Sequence, residues 1–254
     1  MELIQGEKFK TLHNGKNIFY CNTHDVNNFF DNINFDNDFI LISHNSDGNI
    51  TDNPLRDFDA DVKKIPKNLK RWFGQNLNYE SDIIESIPIG FENSEWFPEI
   101  RKIQKLLDIS LTPKNIKNLV YLNLNILNNP SVRQPIYDML KDKHYVTTEY
   151  GRNGLTYDNY LNNLYNHRFM VCPEGNGIDV HQPWESLHVN TIPIQKKNIN
   201  NKNWRELPIC WVDEWEQITD ENFLNSEYDR ITKNTINKTK LDFNFWRNKI
   251  LNSI

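Results

Sequence analysis

The chain has 254 residues, long enough to bury the core of one large domain or two small ones. Its 29 basic and 34 acidic side chains leave a formal charge of −5, so electrostatics favours neither nucleic acid nor an anionic membrane surface as a partner. The opening MELIQGEKFK lacks the apolar stretch of a secretory signal, no run approaches the ~20 apolar residues of a membrane span, and the three widely spaced cysteines (Cys21, Cys172, Cys210) suit free thiols in the cytoplasm.

Asn17 to Cys21 reads as a first strand, and Val26 to Ile33 as a short helix or loop. Asp38 to Ser43 (DFILIS) is an apolar strand that runs into the polar cluster His44-Asn45-Ser46-Asp47-Gly48. Open α/β sheets place their chemistry at such carboxyl ends. Asp59-Ala-Asp61 matches the D-x-D pattern of metal-dependent transferases, but it follows Arg56-Asp57-Phe58 rather than a strand and reads as a solvated loop. Leu69, Trp72 and Phe73 fall at helical spacing and predict a helix over 66–76; 83–90 then gives a short strand with a Pro-Gly stop. Glu95 to Leu107 has the pattern of a charged amphipathic helix, followed over 112–118 by a Lys/Asn-rich linker containing Pro113. That linker divides the chain into 1–113 and 114–235, with a closing helix over 236–254.

The second part opens on a strand from Leu119 to Leu127, then a helix from Pro130 to Leu140 with Arg133 in its first turn. A strand over 145–148 and a helix over 155–165 follow. Arg168 to Cys172 is an apolar strand, Pro173 to Gly177 (PEGNG) a glycine turn, and Asp179 to Val189 a helix with Pro183 in its first turn. Thr191 to Gln195 is extended again, so 167–194 makes a βαβ unit of the kind that binds ligands at the carboxyl end of its strand. Pro208 to Val212 is a late strand, Asp213 to Thr219 starts another helix, and Thr239 to Leu251 is a last amphipathic helix. Strand–helix alternation throughout predicts the α/β class.

Within the βαβ unit, backbone N–H groups of Glu174 to Gly177 and the helix start suit a phosphate, and Glu185, one turn into the helix, suits sugar hydroxyls. At these residues the chain resembles the exostosin-like glycosyltransferases, whose donor signature runs F-x-x-C-P-x-G, then an Arg, E-[AS]-[LI], a Gly and I-P-[IV]. Phe169, Cys172, Pro173, Gly175, Glu185, Ser186, Leu187, Ile192, Pro193 and Ile194 fit it. Gln182 stands where an Arg is usual, and Asn190 where a Gly is usual; Asn tolerates the left-handed backbone best among other residues. Trp72-Phe73-x-x-Asn76 followed by Ile87-Pro88-Ile89-Gly90 also looks like this family and puts 90–96 near the acceptor cleft. The resemblance implies a GT-B-like arrangement of two Rossmann-like α/β domains around a cleft, with a nucleoside-diphosphate sugar, UDP first, as donor, a glycan or glycoconjugate as acceptor, and no metal.

Glycosyl transfer must stabilise a leaving diphosphate, remove a hydroxyl proton and hold both partners in line. For the leaving group the candidates are the loop from Glu174 through Gly175, Asn176 and Gly177 with Arg133, and Arg152 in reserve. Glu185 takes ribose or donor-sugar hydroxyls. Asp179 and His181 are donor-sugar contacts or helix caps, and Trp184 and Trp96 are sugar-stacking rings or core. As base, Asp47 competes with His44; an Asx-turn is the alternative use of Asn45 and Asp47. Asn45, Ser46 and Trp96 fall on the acceptor side. No metal-spaced cluster of His, Cys and carboxylates is visible. A sugar-nucleotide- or glycan-binding module without catalysis is the second reading, motivated by Gln182.

Overall fold

The computed structural model describes residues 1–34, 36–94, 100–150, 156–233 and 237–253. In chain order the elements of the first part are α1 (Gly6–Lys10), β1 (Ile18–Asn22), α2 (Val26–Asn32), β2 (Phe39–His44), β3 (Ile50–Thr51), β4 (Ala60–Asp61), β5 (Leu69–Gly74) and β6 (Ile84–Ser86). The remainder gives α3 (Ile100–Ser110), β7 (Asn118–Leu124), α4 (Pro130–Leu140), β8 (Val146–Tyr150), α5 (Tyr157–Asn166), β9 (His167–Val171), α6 (His181–His188), β10 (Ile192–Lys196), β11 (Cys210–Val212), α7 (Glu221–Thr232) and α8 (Phe243–Leu251). Among the described residues no helix is long and apolar enough to cross a membrane.

Two parallel sheets organise these elements, as the α/β reading expects, and they are compatible with a Rossmann-like fold. The first has the order β1-β2-β5-β6, with β3 and β4 as a separate parallel pair. The second has the order β11-β10-β9-β7-β8. Counted within its own sheet that is 2-1-3-4-5, a doubly wound order whose direction reverses between β7 and β9.

Burial on both faces explains the apolar runs. All six residues of β2 are buried. From β7, Val120, Leu122 and Leu124 face Ile136 and Leu140 of α4 and Leu224 and Ile231 of α7. Tyr121 faces the other side, with Leu161 and Leu164 of α5, Met170 and Cys172. One cluster joins the two sheets: Ile18, Ile40, Ile42 and Phe73 meet Trp184 and Leu187 of α6, Trp204, and Trp246 and Ile250 of α8. The last helix therefore packs back on residues of the first sheet, where Lys249 also pairs with Glu85.

Several sequence expectations are corrected here. Residues 69–74 form β5, a strand hydrogen-bonded between β2 and β6, not a helix. Trp72 and Phe73 are buried on opposite faces, in different clusters, and a strand covered on both sides mimics helical spacing. The helix expected from Asp213 is a 3-10 turn (Trp215–Thr219), and the longer α7 begins beyond Asp220, whose side chain caps it through Asn222 N–H. Asp59 is not solvated; it is 3% exposed. Burial raises its pKa, but the Arg56 guanidinium and the N–H groups of Asn49, Leu55 and Arg56 outweigh this and hold the carboxyl below its ordinary value. Asp59 is therefore a buried loop anchor, while Asp61 ends β4 half-buried.

Candidate functional site

The carboxyl ends of β2 and β5 each open with an asparagine in left-handed conformation: Asn45 at φ 55° and Asn76 at φ 60°. Such backbone is sparsely populated by residues other than glycine and clusters where a chain is held for a purpose. Asn76 ties three loops together. Its Nδ2 donates to Ser46 O at 3.0 Å, its Oδ1 accepts from Asp179 N–H at 2.9 Å, and Gly177 packs so closely that a Cβ there would lie 2.6 Å from Asn76 Nδ2. Arg56 adds a second tie, donating to Asp47 O and to Asn176 O. The polar ends of the first sheet and the glycine loop after β9 therefore abut.

At the carboxyl end of β2, walled by residues of the first part and by His181 of α6, lies a cavity of about 310 Å³ that no residue of the glycine loop lines. His44, Asn45, Ser46 and Asp47 form one wall and His181 of α6 another, with Gln75, Glu92 and Asn93 completing it. Five of the predicted site residues thus come together. Asp47 is exposed at the cavity. His44 is not: it is 1% exposed, and its Nε2 must donate to Pro88 O at 3.1 Å while Nδ1 accepts from Asn45 N–H at 2.8 Å. Burial pushes its pKa down to about 4, so the ring stays neutral with both nitrogens engaged. That makes Asp47 the better placed of the two base candidates.

His181 donates from Nδ1 to Gly90 O at 2.8 Å and turns Nε2 toward Glu92, 3.4 Å away. Burial favours the neutral ring, but Glu92 outweighs it and raises the pKa above the ordinary value. Glu92, also penalised by burial, is held low by the same partner and by Asn93 N–H. Glu185 lies one helical turn from His181, hence on the same face of α6. Tyr160 donates to Glu185 Oε2 at 2.5 Å, and no protein group among the described residues reaches Oε1. Burial raises the Glu185 pKa, with Tyr160 and His181 opposing.

Arg133 sits where the second sheet reverses, between the ends of β7 and β9. Its guanidinium donates to Asn125 O (2.9 Å), Glu174 O (2.9 Å) and Pro173 O (3.4 Å), and it is 5% exposed. The expected direct clamp on phosphate is replaced by a latch on the backbone. Gly175 makes room for it, since a Cβ there would lie 2.8 Å from Arg133 Nη2. Gln182, at the usual Arg position, donates to Asn123 O at 2.9 Å. Asn190 adopts φ 57°, the left-handed conformation that its usual glycine implies.

The other candidates scatter. Trp184 is 2% exposed and packs edge-on against Trp204, so it is core rather than a sugar platform. Glu174 lines a second cavity of about 470 Å³ at the ends of β9 to β11. Asn176 is exposed, with its carbonyl taken by Arg56. Trp96 and Arg152 lie outside the described residues. Among those described, no group of three or more His, Cys, Asp or Glu side chains is placed to hold a metal ion.

Asp179 neither caps α6 nor faces a sugar. It accepts from Ile89 N–H (2.8 Å), Val180 N–H (3.0 Å) and Trp184 Nε1 (3.1 Å), and so joins the two sheets. Burial pushes its carboxyl up to about 6 from an ordinary 3.8. Because folding raises this pKa, its protonation favours the folded state; that contribution is complete below about pH 3.8 and lost as the pH rises through about 6. Asp179→Asn removes it. Denaturant titrations are expected to shift the stability difference toward wild type by about 2 kcal/mol between pH 6 and pH 4; parallel pH profiles would mean that Asp179 ionises normally in the folded chain.

Sequence reasoning missed Gln75 and Tyr160; Glu92 and Asn93 fall within 90–96, the segment expected near the acceptor cleft, but were not singled out in it. Gln75 stands one residue before the motif asparagine Asn76, the only local signal; the others reach the site through tertiary contacts. No protein-family model matches the chain, and no curated protein matches it.

Proposed function

We propose that the chain is a glycosyltransferase that moves a sugar from a nucleoside-diphosphate sugar, with UDP as the favoured nucleotide, to a hydroxyl of a glycan or glycoconjugate. The reaction is inverting and metal-independent, in a GT-B-like arrangement. One observation carries this reading: His181, on the helix that follows the glycine loop, lines a polar cavity at the carboxyl end of β2, and Glu185 stands one turn further along the same helix face. Donor and acceptor chemistry then meet at one place, from two sheets.

In this reading Glu185, oriented by Tyr160, accepts hydrogen bonds from hydroxyls of the donor. Asp47 takes the proton of the acceptor hydroxyl as its oxygen bonds to the anomeric carbon. The bond from that carbon to the phosphate oxygen breaks, and the nucleoside diphosphate leaves with the electron pair. Arg133 contributes its charge from behind the glycine loop, and His181, paired with Glu92, orients that wall of the cavity.

A second reading, a sugar-nucleotide-binding module without catalysis, is favoured by one contact: Gln182 spends its amide on Asn123 O, so α6 brings no guanidinium to the leaving group. Phosphorus NMR during incubation with a panel of UDP-sugars and mixed methyl glycosides separates the two. The transferase releases UDP in step with a new glycosidic product; donor that binds yet stays intact through prolonged incubation belongs to the binding module.

A further inference from the structure

We infer that the cavity at the end of β2 takes an uncharged sugar unit and excludes uronic, sulfated or phosphorylated ones. The assignment deepens the transferase reading, on which the word acceptor rests, but its argument is local to the cavity.

The first strand of that argument is charge. No Lys or Arg lines the cavity among the described residues, whereas Asp47 and Glu92 do. Arg56, whose guanidinium reaches the Asp47 carbonyl, is ion-paired with Asp59 and is not part of the wall. The charge of His181 is matched by Glu92 at 3.4 Å, and His44 is neutral. Glu7 at the start of α1 adds a carboxylate nearby, where its N–H bonds Asn93 and its side chain accepts from Ser94. An anionic sugar entering here would meet like charge without a counter-ion, the usual device by which a polar site rejects a wrong partner.

The second strand is the pattern of donors and acceptors. Gln75 is 1% exposed, and its Oε1 accepts from Asn45 N–H at 3.1 Å. The amide is thereby oriented, and its Nε2 is left without a protein acceptor among the described residues. Asn93 is held the same way: Oδ1 accepts from Glu7 N–H at 3.0 Å, and Nδ2 donates to Asn45 Oδ1 at 3.0 Å. The cavity thus presents an oriented amide donor, that of Gln75, beside carboxylate acceptors. Hydroxyl groups, each both donor and acceptor, satisfy such a surface; a sulfate or carboxylate, which only accepts, leaves Asp47 and Glu92 unanswered. At about 310 Å³ the space is at the lower end of the range for ligand pockets and suits a single ring.

Saturation-transfer NMR on the full chain without donor tests this, using the methyl glycosides of glucose, galactose, mannose, xylose and N-acetylglucosamine against methyl glucuronide. At least one neutral glycoside is expected to bind, with the glucuronide at least tenfold weaker than the best of them. Gln75→Glu is expected to weaken the neutral ligand at least tenfold, and Asp47→Lys to admit the glucuronide. Glucuronide binding equal to or tighter than every neutral glycoside overturns the inference, as does the absence of binding by all of them or an unchanged affinity in Gln75→Glu. UDP binding, measured separately, keeps the two readings apart. A neutral glycoside bound by a chain that ignores UDP sinks the transferase and leaves the cavity assignment standing; UDP bound together with a preferred glucuronide does the reverse.

Discussion

Replacing Arg133 with methionine is expected to cost roughly 3–5 kcal/mol of stability in urea titrations. The side chain is almost wholly buried, and three of its donors serve the carbonyls of Asn125, Pro173 and Glu174. Those carbonyls end β7 and begin the glycine loop, at the point where the second sheet reverses and where no neighbouring strand can pair them. Methionine fills similar space but leaves three largely buried acceptors without their donor, the costly half of a hydrogen-bond deletion. Arg133→Lys is expected to recover only part of the loss, since one ammonium cannot reproduce a planar fork aimed at three oxygens. A loss under about 1 kcal/mol for the methionine variant would mean that the guanidinium is not holding the loop.

The same residue illustrates what was legible in the sequence. Its helix, Pro130–Leu140, matches the sequence reading at both ends, because Pro130 marks the first turn and Ile136 and Leu140 mark the buried face. That an arginine at the start of the helix after β7 would point at the cleft was the expectation from its place in the chain. That its donors would be taken by backbone carbonyls was not legible, because two of the three, those of Pro173 and Glu174, come from a segment some forty residues later. Asn190 is the contrasting case: the departure from glycine carried its own conformational prediction, and φ 57° agrees with it.

Strands buried on both faces were the weak point of the fold reading. DFILIS was unmistakable, whereas LKRWFG, with apolar residues spread over two clusters, imitated a helix. Composition also misled at Asp59, where a charged stretch looked solvated but is folded around Arg56. At the site, the stretch from His44 to Asp47 was legible because polar residues followed an apolar strand. Glu92 and Asn93 were legible only as part of 90–96, the segment expected near the cleft; their individual roles depend on Gly90, held at φ 68°, and on contacts with α1 and α6. The sequence could also name His181 without revealing that Glu92 sets its charge.

The second large effect concerns Glu185. Its carboxylate is half-buried beside His181 on α6, with Oε2 fixed by Tyr160 and Oε1 unclaimed among the described residues, a position in which a ligand's hydroxyls can complete its hydrogen bonds. Glu185→Gln keeps the shape and removes the charge, so fold stability should change little while the hydrogen bonds to a bound donor weaken. Bonds to a charged group contribute roughly 1.5–3 kcal/mol each.

Isothermal titration calorimetry of UDP and UDP-sugars into wild type and Glu185→Gln is therefore decisive. Saturable binding to wild type that falls by about a hundredfold, or ~3 kcal/mol, in the variant is the predicted result. Equal affinities in the two proteins, or no nucleotide binding by a folded wild type, would contradict the assignment of α6 to an activated sugar.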